Sequence, residues 1–220
     1  MLDRVRRALP GNTVVHVALP MPARSEVIDG EPVVDRFCRE LSLVGGTTQP
    51  IASSTELKKF IESLLPVSGP CSVALSNGRS IERSGLREWL ENRGTEVLPT
   101  LSESGSPQKD YVRRLLQARI GVTQADYAIA ETGTLVLISG AEQHRLLSLL
   151  PPVHVCLLGP QQIVPTLASL ITRLEQRFVT GKFTPQTVTM ITGPSRTADI
   201  EHTLTMGVHG PVALHVLISG

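Results

Sequence analysis

The 220-residue sequence predicts a layered α/β fold built on a mixed, mostly parallel β-sheet. Three observations carry this. From residue 70 onward, short apolar runs such as CSVALS and VHVCLLG alternate with helical patterns, the rhythm of strand–helix–strand crossovers. The stretch ADYAIAETGTLVLIS sets two strand patterns three residues apart, a link that permits only an antiparallel hairpin because a parallel crossover takes about a dozen residues. Apolar residues make up 41% of the chain and aromatics only 3%, so the core is aliphatic, packed from Leu, Val and Ile.

The elements follow in order. Residues 1–30 form a basic helix, MLDRVRRAL, with Arg4 and Arg7 on one face, and an extended or strand-like arm that ends in the Pro-rich MPARSEVIDGEP. The α/β domain occupies residues 31–220. A helix fits 33–43, where Val33, Val34, Phe37, Leu41 and Val44 recur at helical spacing, and GGTTQPIAS is a turn with a short strand. A second helix fits 55–65, started by a Ser/Thr cap and stopped by Pro66. CSVALS and TEVLPT are strands around the helix SGLREWLENRG, and SPQKDYVRRLLQARIG is a helix between Pro107 and Gly121. After the hairpin come a short helix HRLLSLLP, a strand VHVCLLG and a long helix IVPTLASLITRLEQRF. The strand QTVTMITG, a helix RTADIEHTLTMG and a last strand VALHVLIS complete the chain.

Charge and cysteine usage exclude several classes. Lys and Arg number 21 against 20 Asp and Glu, a net charge of +1, so no global field selects nucleic acid. No stretch approaches the ~18 apolar residues of a membrane span, and the start lacks the apolar core of a signal peptide, which predicts a cytoplasmic chain. Cys38, Cys71 and Cys156 are far apart, form no CxxC and sit among apolar neighbours, as buried reduced thiols do. No pair among His16, His144, His154, His202, His209 and His215 has metal-ligand spacing, so no metal site is predicted; His154 and His215 fall inside apolar strands. GxSxG, a Walker loop and GxGxxG are absent, which leaves serine hydrolase, P-loop and classical dinucleotide chemistry without support.

Three stretches have site chemistry. In TGPSRTADIE, Gly193 allows a tight turn, Pro194 fixes the chain, and Ser195 or Thr197 can cap the predicted helix. Its free N–H groups with Arg196 would hold an anion; equally, Ser195, Thr197, Asp199 and Glu201 are ordinary capping chemistry. In AETGT, Glu131 is a candidate base or nucleophile beside Gly133, with Thr132 and Thr134 as hydroxyl donors, or else a solvated turn residue. In GVHGP, His209 between two glycines is a candidate proton carrier or a loop hydrogen-bonding residue. Ligands of open α/β sheets gather beyond the carboxyl ends of the strands, where loops lead into helices.

The residues GVTQADYAIAETGTLVL, LLPPVHVCLLGPQQIVPTL and TGPSRTADIEHTLTMGVHGPVALHVLI together resemble the LUD-domain family, and within it the lactate-utilization protein C group; the match covers roughly residues 105–218. That resemblance implies a three-layer α/β/α fold similar to the NagB/RpiA/CoA-transferase superfamily. It also implies a bacterial cytoplasmic protein that supports oxidation of L-lactate to pyruvate beside A- and B-type iron–sulfur subunits. This chain would carry no cofactor of its own, the clusters residing on those partners, and would bind a small carboxylate or phosphate-bearing ligand, with Glu131 and His209 moving protons. By superfamily analogy AETGT, TGPSRT and GVHGP would meet in one crevice at one end of the sheet, and Glu131 is reminiscent of a CoA-transferase nucleophile. A stand-alone transferase or isomerase, and a non-catalytic scaffold for the iron–sulfur subunits, stay open beside the ligand-binding reading. A homo-oligomer is compatible with each.

Overall fold

A computed structural model describes residues 30–67, 69–100, 108–140, 145–179, 187–198, 204–207 and 209–219. The predicted N-terminal helix and arm, with Arg4, Arg7 and His16, lie outside the described residues except for Gly30, as do His144, His202, Asp199 and Glu201.

Helix α1 (Val33–Leu43) buries Phe37 and Leu41, and its chain leaves through Val44 and Gly45. Gly45 sits at φ +83 and the Gly46 N–H donates to the Leu41 carbonyl (3.0 Å), a glycine-dependent helix stop. Strand β1 (Thr47–Ile51) follows, then α2 (Ser54–Leu64), whose Ser53 hydroxyl accepts from the Glu56 N–H as an N-cap. After β2 (Ser72–Leu75) comes a short helix that the sequence does not predict, α3 (Arg79–Arg83), and the predicted helix at 84–94 is realised as α4 (Leu86–Glu91), separated from α3 by Gly85 at φ +62. Then come β3 (Glu96–Leu98), α5 (Gln108–Gln117), β4 (Ile120–Gln124), and the hairpin β5 (Tyr127–Ile129) with β6 (Thr134–Ser139). A 3-10 turn at Arg145–Ser148 precedes β7 (Val153–Leu158). Residues Ile163–Val164 pair as β8 and α6 begins only at Leu167, since the residue before Pro165 is driven extended. The chain closes with β9 (Thr187–Ile191), β10 (Arg196–Ala198), β11 (Leu204–Met206) and β12 (Ala213–Ser219).

The strands form a six-stranded sheet in the order β1-β12-β7-β4-β2-β3, parallel throughout. The antiparallel hairpin is not inserted into it. It belongs to a second, mixed sheet ordered β8-β5-β6-β9, parallel at β8–β5 and antiparallel elsewhere. Helices α2, α3 and α4 cover one face of the large sheet, with Leu57, Ile61, Ile81, Leu86 and Leu90 against Val73, Val122, Val155 and Leu217. The other face meets α1 and the second sheet through Phe37, Leu41, Ala128, Leu135, Cys156 and Val216, and meets α5 through Tyr111 and Leu115. Helix α6 caps the far side of the second sheet, with Leu170 on Ile129, Val136 and Val164. The α/β class and the dominant parallel sheet are as expected; the hairpin adds a β layer between sheet and helix.

One expected element is overturned. RTADIEHTLTMG is not a helix where described: β10 and β11 pair antiparallel, Arg196 opposite Met206 and Thr197 opposite Thr205. The backbone at Ser195 is already committed, its N–H donating to the Pro211 carbonyl (2.8 Å) and its carbonyl accepting from the Gly207 N–H (3.0 Å). Those long-range pairings override the local capping pattern.

Candidate functional site

Gly133 sits at the tip of the β5–β6 hairpin with φ +61, packed on the backbone of α1. A Cβ there would stand 2.6 Å from the Leu41 Cα and overlap its amide nitrogen. That contact holds the tip beside the exit of α1. Gly193, at φ +82, makes the same kind of approach, where a Cβ would lie 2.5 Å from the Val44 carbonyl oxygen. Two glycines therefore bring the AETGT and TGPSRT stretches onto the end of α1, Gly133 at Glu40–Leu41 and Gly193 at Val44.

The threonines there form a chain. Thr134 is buried, and its Oγ1 lies 2.6 Å from Thr132 Oγ1 and 2.8 Å from Thr192 Oγ1. Three hydroxyls carry three protons, and two of them fill the two gaps. With the two bonds running head to tail, the third is left to donate outward from one exposed end, Thr132 or Thr192. Thr192 was not a residue the sequence singled out; its place directly before Gly193 was the available signal.

Arg196 extends from β10 with its guanidinium against the Cα of Gly45, where a Cβ would overlap Nη2. It is exposed and has no ion-pair partner among the described residues. Ser195 packs on Gly210, whose added Cβ would be 3.1 Å from the serine Cβ. His209, next in the chain, is exposed on the same turn, and Pro194 is buried beneath. Thr197 lies on the backbone of β10. The three stretches thus converge, but not where the general rule for open sheets places a site. Gly45–Gly46 lead into β1, Gly210–Pro211 into β12 and Pro152 into β7, so the cluster sits at the amino ends of the parallel strands.

Glu131 faces elsewhere. Its Oε1 accepts the Leu167 N–H (2.7 Å) at the start of α6, while its own N–H donates to the Pro165 carbonyl (3.2 Å). The carboxylate therefore caps a thirteen-residue helix, where the dipole favours negative charge. Replacing it with Gln removes the charge but keeps an acceptor, so Glu131→Gln is expected to lower stability by about 0.5–1 kcal/mol in urea titration.

Two other groups complete the electrostatics. Cys156 is buried on β7, and burial first of all pushes its thiol up to about 12, which keeps it protonated. His154 is fully buried, its Nε2 2.8 Å from Thr123 Oγ1. Burial, reinforced by the nearby His215, pushes it down to about 3, so the ring is neutral. His215 lies on the opposite face of the sheet, with Nδ1 2.7 Å from Thr47 Oγ1 and its ring edge-on to Phe60. Among the described residues no three His, Cys, Asp or Glu gather as a metal site, and no helix is long and apolar enough to cross a membrane.

Comparison with known proteins places the family and the fold. The family model described as the LUD domain matches residues 34–219. The chain is 33% identical over 184 residues to the uncharacterized protein YkgG of Escherichia coli (strain K12), covering 84% of this chain and 78% of that one. It is 33% identical over 156 residues to lactate utilization protein C of Halalkalibacterium halodurans, covering 71% and 66%. For lactate utilization protein C of Anoxybacillus flavithermus the figures are 31% over 174 residues, covering 79% and 74%. In fold it is similar to a DUF162 family protein from Deinococcus radiodurans, with a TM-score of 0.58 at 24% identity, covering 86% of this chain and 96% of that one.

Proposed function

The chain belongs to the LUD domain family, and on that basis we propose that it serves lactate utilization as a subunit that binds a small carboxylate, lactate or pyruvate, at the Arg196 cluster. The observation that supports this most directly is an exposed guanidinium, without an ion-pair partner among the described residues, held on a glycine beside a chain of three hydroxyls. A guanidinium fork matches both oxygens of a carboxylate. The outward hydroxyl proton of the threonine chain then serves the adjacent oxygen of a 2-hydroxy or 2-oxo acid, and His209 stands on the same turn as a proton carrier. The predicted helix-end N–H groups take no part in this reading, because β10 replaces that helix.

Glu131 enters as a structural cap, which favours binding over a covalent acyl intermediate at that carboxylate. Oxidation of lactate to pyruvate releases two electrons and two protons. In this reading the electrons leave through iron–sulfur partner subunits, and the chain supplies position and charge. Cytoplasmic residence is part of the same proposal.

Calorimetric titration tests the binding step. Lactate or pyruvate should bind the wild-type chain saturably, and Arg196→Ala should weaken binding by about tenfold or more, the worth of a charge-assisted hydrogen bond. Gly45→Ala should weaken it similarly by displacing the guanidinium, and should add nothing in the Arg196→Ala background. Titrations with no heat for either acid, or equal affinity in Arg196→Ala, would dismiss the reading. Co-purification with iron–sulfur subunits is expected to survive Arg196→Ala, since that change touches the ligand cluster alone.

A further inference from the structure

The carboxyl ends of β1, β12 and β7 lie side by side, Ile51 opposite Ser219 and Ile218 opposite Leu158. A cavity of about 240 Å³ opens on these ends, floored by Ile51, Leu57 and Leu157. Ser54, Ser80 and Ser219 line it with side-chain hydroxyls that make no hydrogen bond among the described residues, and Arg83 lines it with a guanidinium that has no ion-pair partner among them. No carboxylate is among the lining residues. Elsewhere the described arginines commonly find an acid: Arg39 pairs with Glu31, Arg93 with Glu62, Arg114 with Glu96 and Arg177 with Asp126.

The start of α2 opens here too, but it is already closed by its own residues. Ser53 Oγ accepts the Glu56 N–H, and Glu56 Oε2 accepts the Ala52 N–H (2.8 Å). Ser84 is likewise spent on the Ile81 carbonyl and the Leu86 N–H. What remains free is a fork-shaped cation and three hydroxyls on different elements, gathered around one hollow with an aliphatic floor.

We propose that this cavity is a second ligand site, for a phosphomonoester with a small apolar body. A planar carboxylate is satisfied by a guanidinium fork, whereas a tetrahedral dianion presents three oxygens that need donors from several directions. Arg83 supplies the charge, Ser54, Ser80 and Ser219 supply the remaining donors, and Ile51, Leu57 and Leu157 receive the organic part. The position is the one where parallel α/β sheets collect ligands. It stands at the opposite end of the strands from the Arg196 cluster, about 20 Å away along β12 at ~3.3 Å per residue. The two sites can therefore be filled together, and this proposal does not depend on the carboxylate reading.

The test is calorimetry and phosphorus NMR of the full chain with phenyl phosphate and with inorganic phosphate. Phenyl phosphate should bind saturably and about tenfold tighter than inorganic phosphate. Arg83→Gln should weaken phenyl phosphate by about tenfold or more, and the pair Ser80→Ala with Ser219→Ala should weaken it without touching the arginine. Arg196→Ala should leave it unchanged, and lactate should not compete. The proposal is overturned if neither probe saturates the wild-type chain, if Arg83→Gln binds as wild type does, or if Arg196→Ala abolishes binding. Equal affinity for the two probes would overturn the apolar half of the site.

Discussion

Between pH 6.5 and pH 4 the protein is expected to lose stability steeply, and His154 is the reason. The ring is fully buried on β7 with Nε2 against Thr123 Oγ1, and Nδ1 is buried without a hydrogen-bond partner. Protonation would place an N–H with no acceptor, and a charge, in the aliphatic interior. The ring therefore stays neutral in the folded state down to about pH 3, whereas the unfolded chain takes up the proton near the ordinary value of 6.5. Above pH 6.5 neither state is charged and the contribution to stability is fully present. Below it the unfolded state binds a proton that the folded state refuses, so stability falls by at most about 1.4 kcal/mol per pH unit until the folded ring titrates.

The loss by pH 4 is thus of the order of 3 kcal/mol, large beside the 5–15 kcal/mol typical of a domain. His215 acts in the same direction, since burial lowers it too, but it is only half buried and its part is smaller. Urea titrations at pH 7, 6, 5 and 4 measure the slope. The variant combining Thr123→Val with His154→Leu removes both polar partners together, so no unpaired hydroxyl remains. It should flatten the profile over this window while the carboxylates titrate as before. Parallel profiles for wild type and variant would show that the buried ring does not govern acid unfolding.

What the sequence disclosed, and what it did not, divides along the range of the interactions concerned. Alternating apolar runs reveal the parallel sheet because periodicity is local, and the ETG link reveals the antiparallel hairpin because chain length restricts its geometry. The same link is silent about which sheet the hairpin joins; Phe37, Leu41 and Val216, remote in sequence, decide that by packing against Ala128 and Leu135. TADIE carries good helix-start chemistry, yet the Ser195 backbone is claimed by Gly207 and Pro211. Glu131 is legible as a carboxylate at a turn, but its partner is the amide of Leu167, 36 residues away. The convergence of AETGT, TGPSRT and GVHGP was legible through family resemblance, whereas its location at the amino ends requires the strand order. Gly45 and Thr192 complete the cluster through close approaches that no spacing rule encodes.

Gly133→Ala is expected to cost about 2–4 kcal/mol, the other large effect. Two terms combine. At φ +61 an L-residue pays about 1 kcal/mol for the left-handed backbone. The added methyl also meets the main chain of α1, 2.6 Å from both the Glu40 carbonyl carbon and the Leu41 Cα, and a helix backbone does not yield as a flexible side-chain end does. Gly94 separates these terms. Its φ is +75, and a Cβ there meets nothing within 4 Å, so Gly94→Ala should show the conformational cost alone. The excess loss in Gly133→Ala, read as the difference in urea midpoint between the two variants, then measures the contact. Because the tip also places Thr132 and Thr134, the same change should open the hydroxyl chain and weaken carboxylate binding, which Gly94→Ala should not. Equal losses for the two glycines would mean that the hairpin tip can lift from α1 at little cost, and that the cluster beside it is not held by this approach.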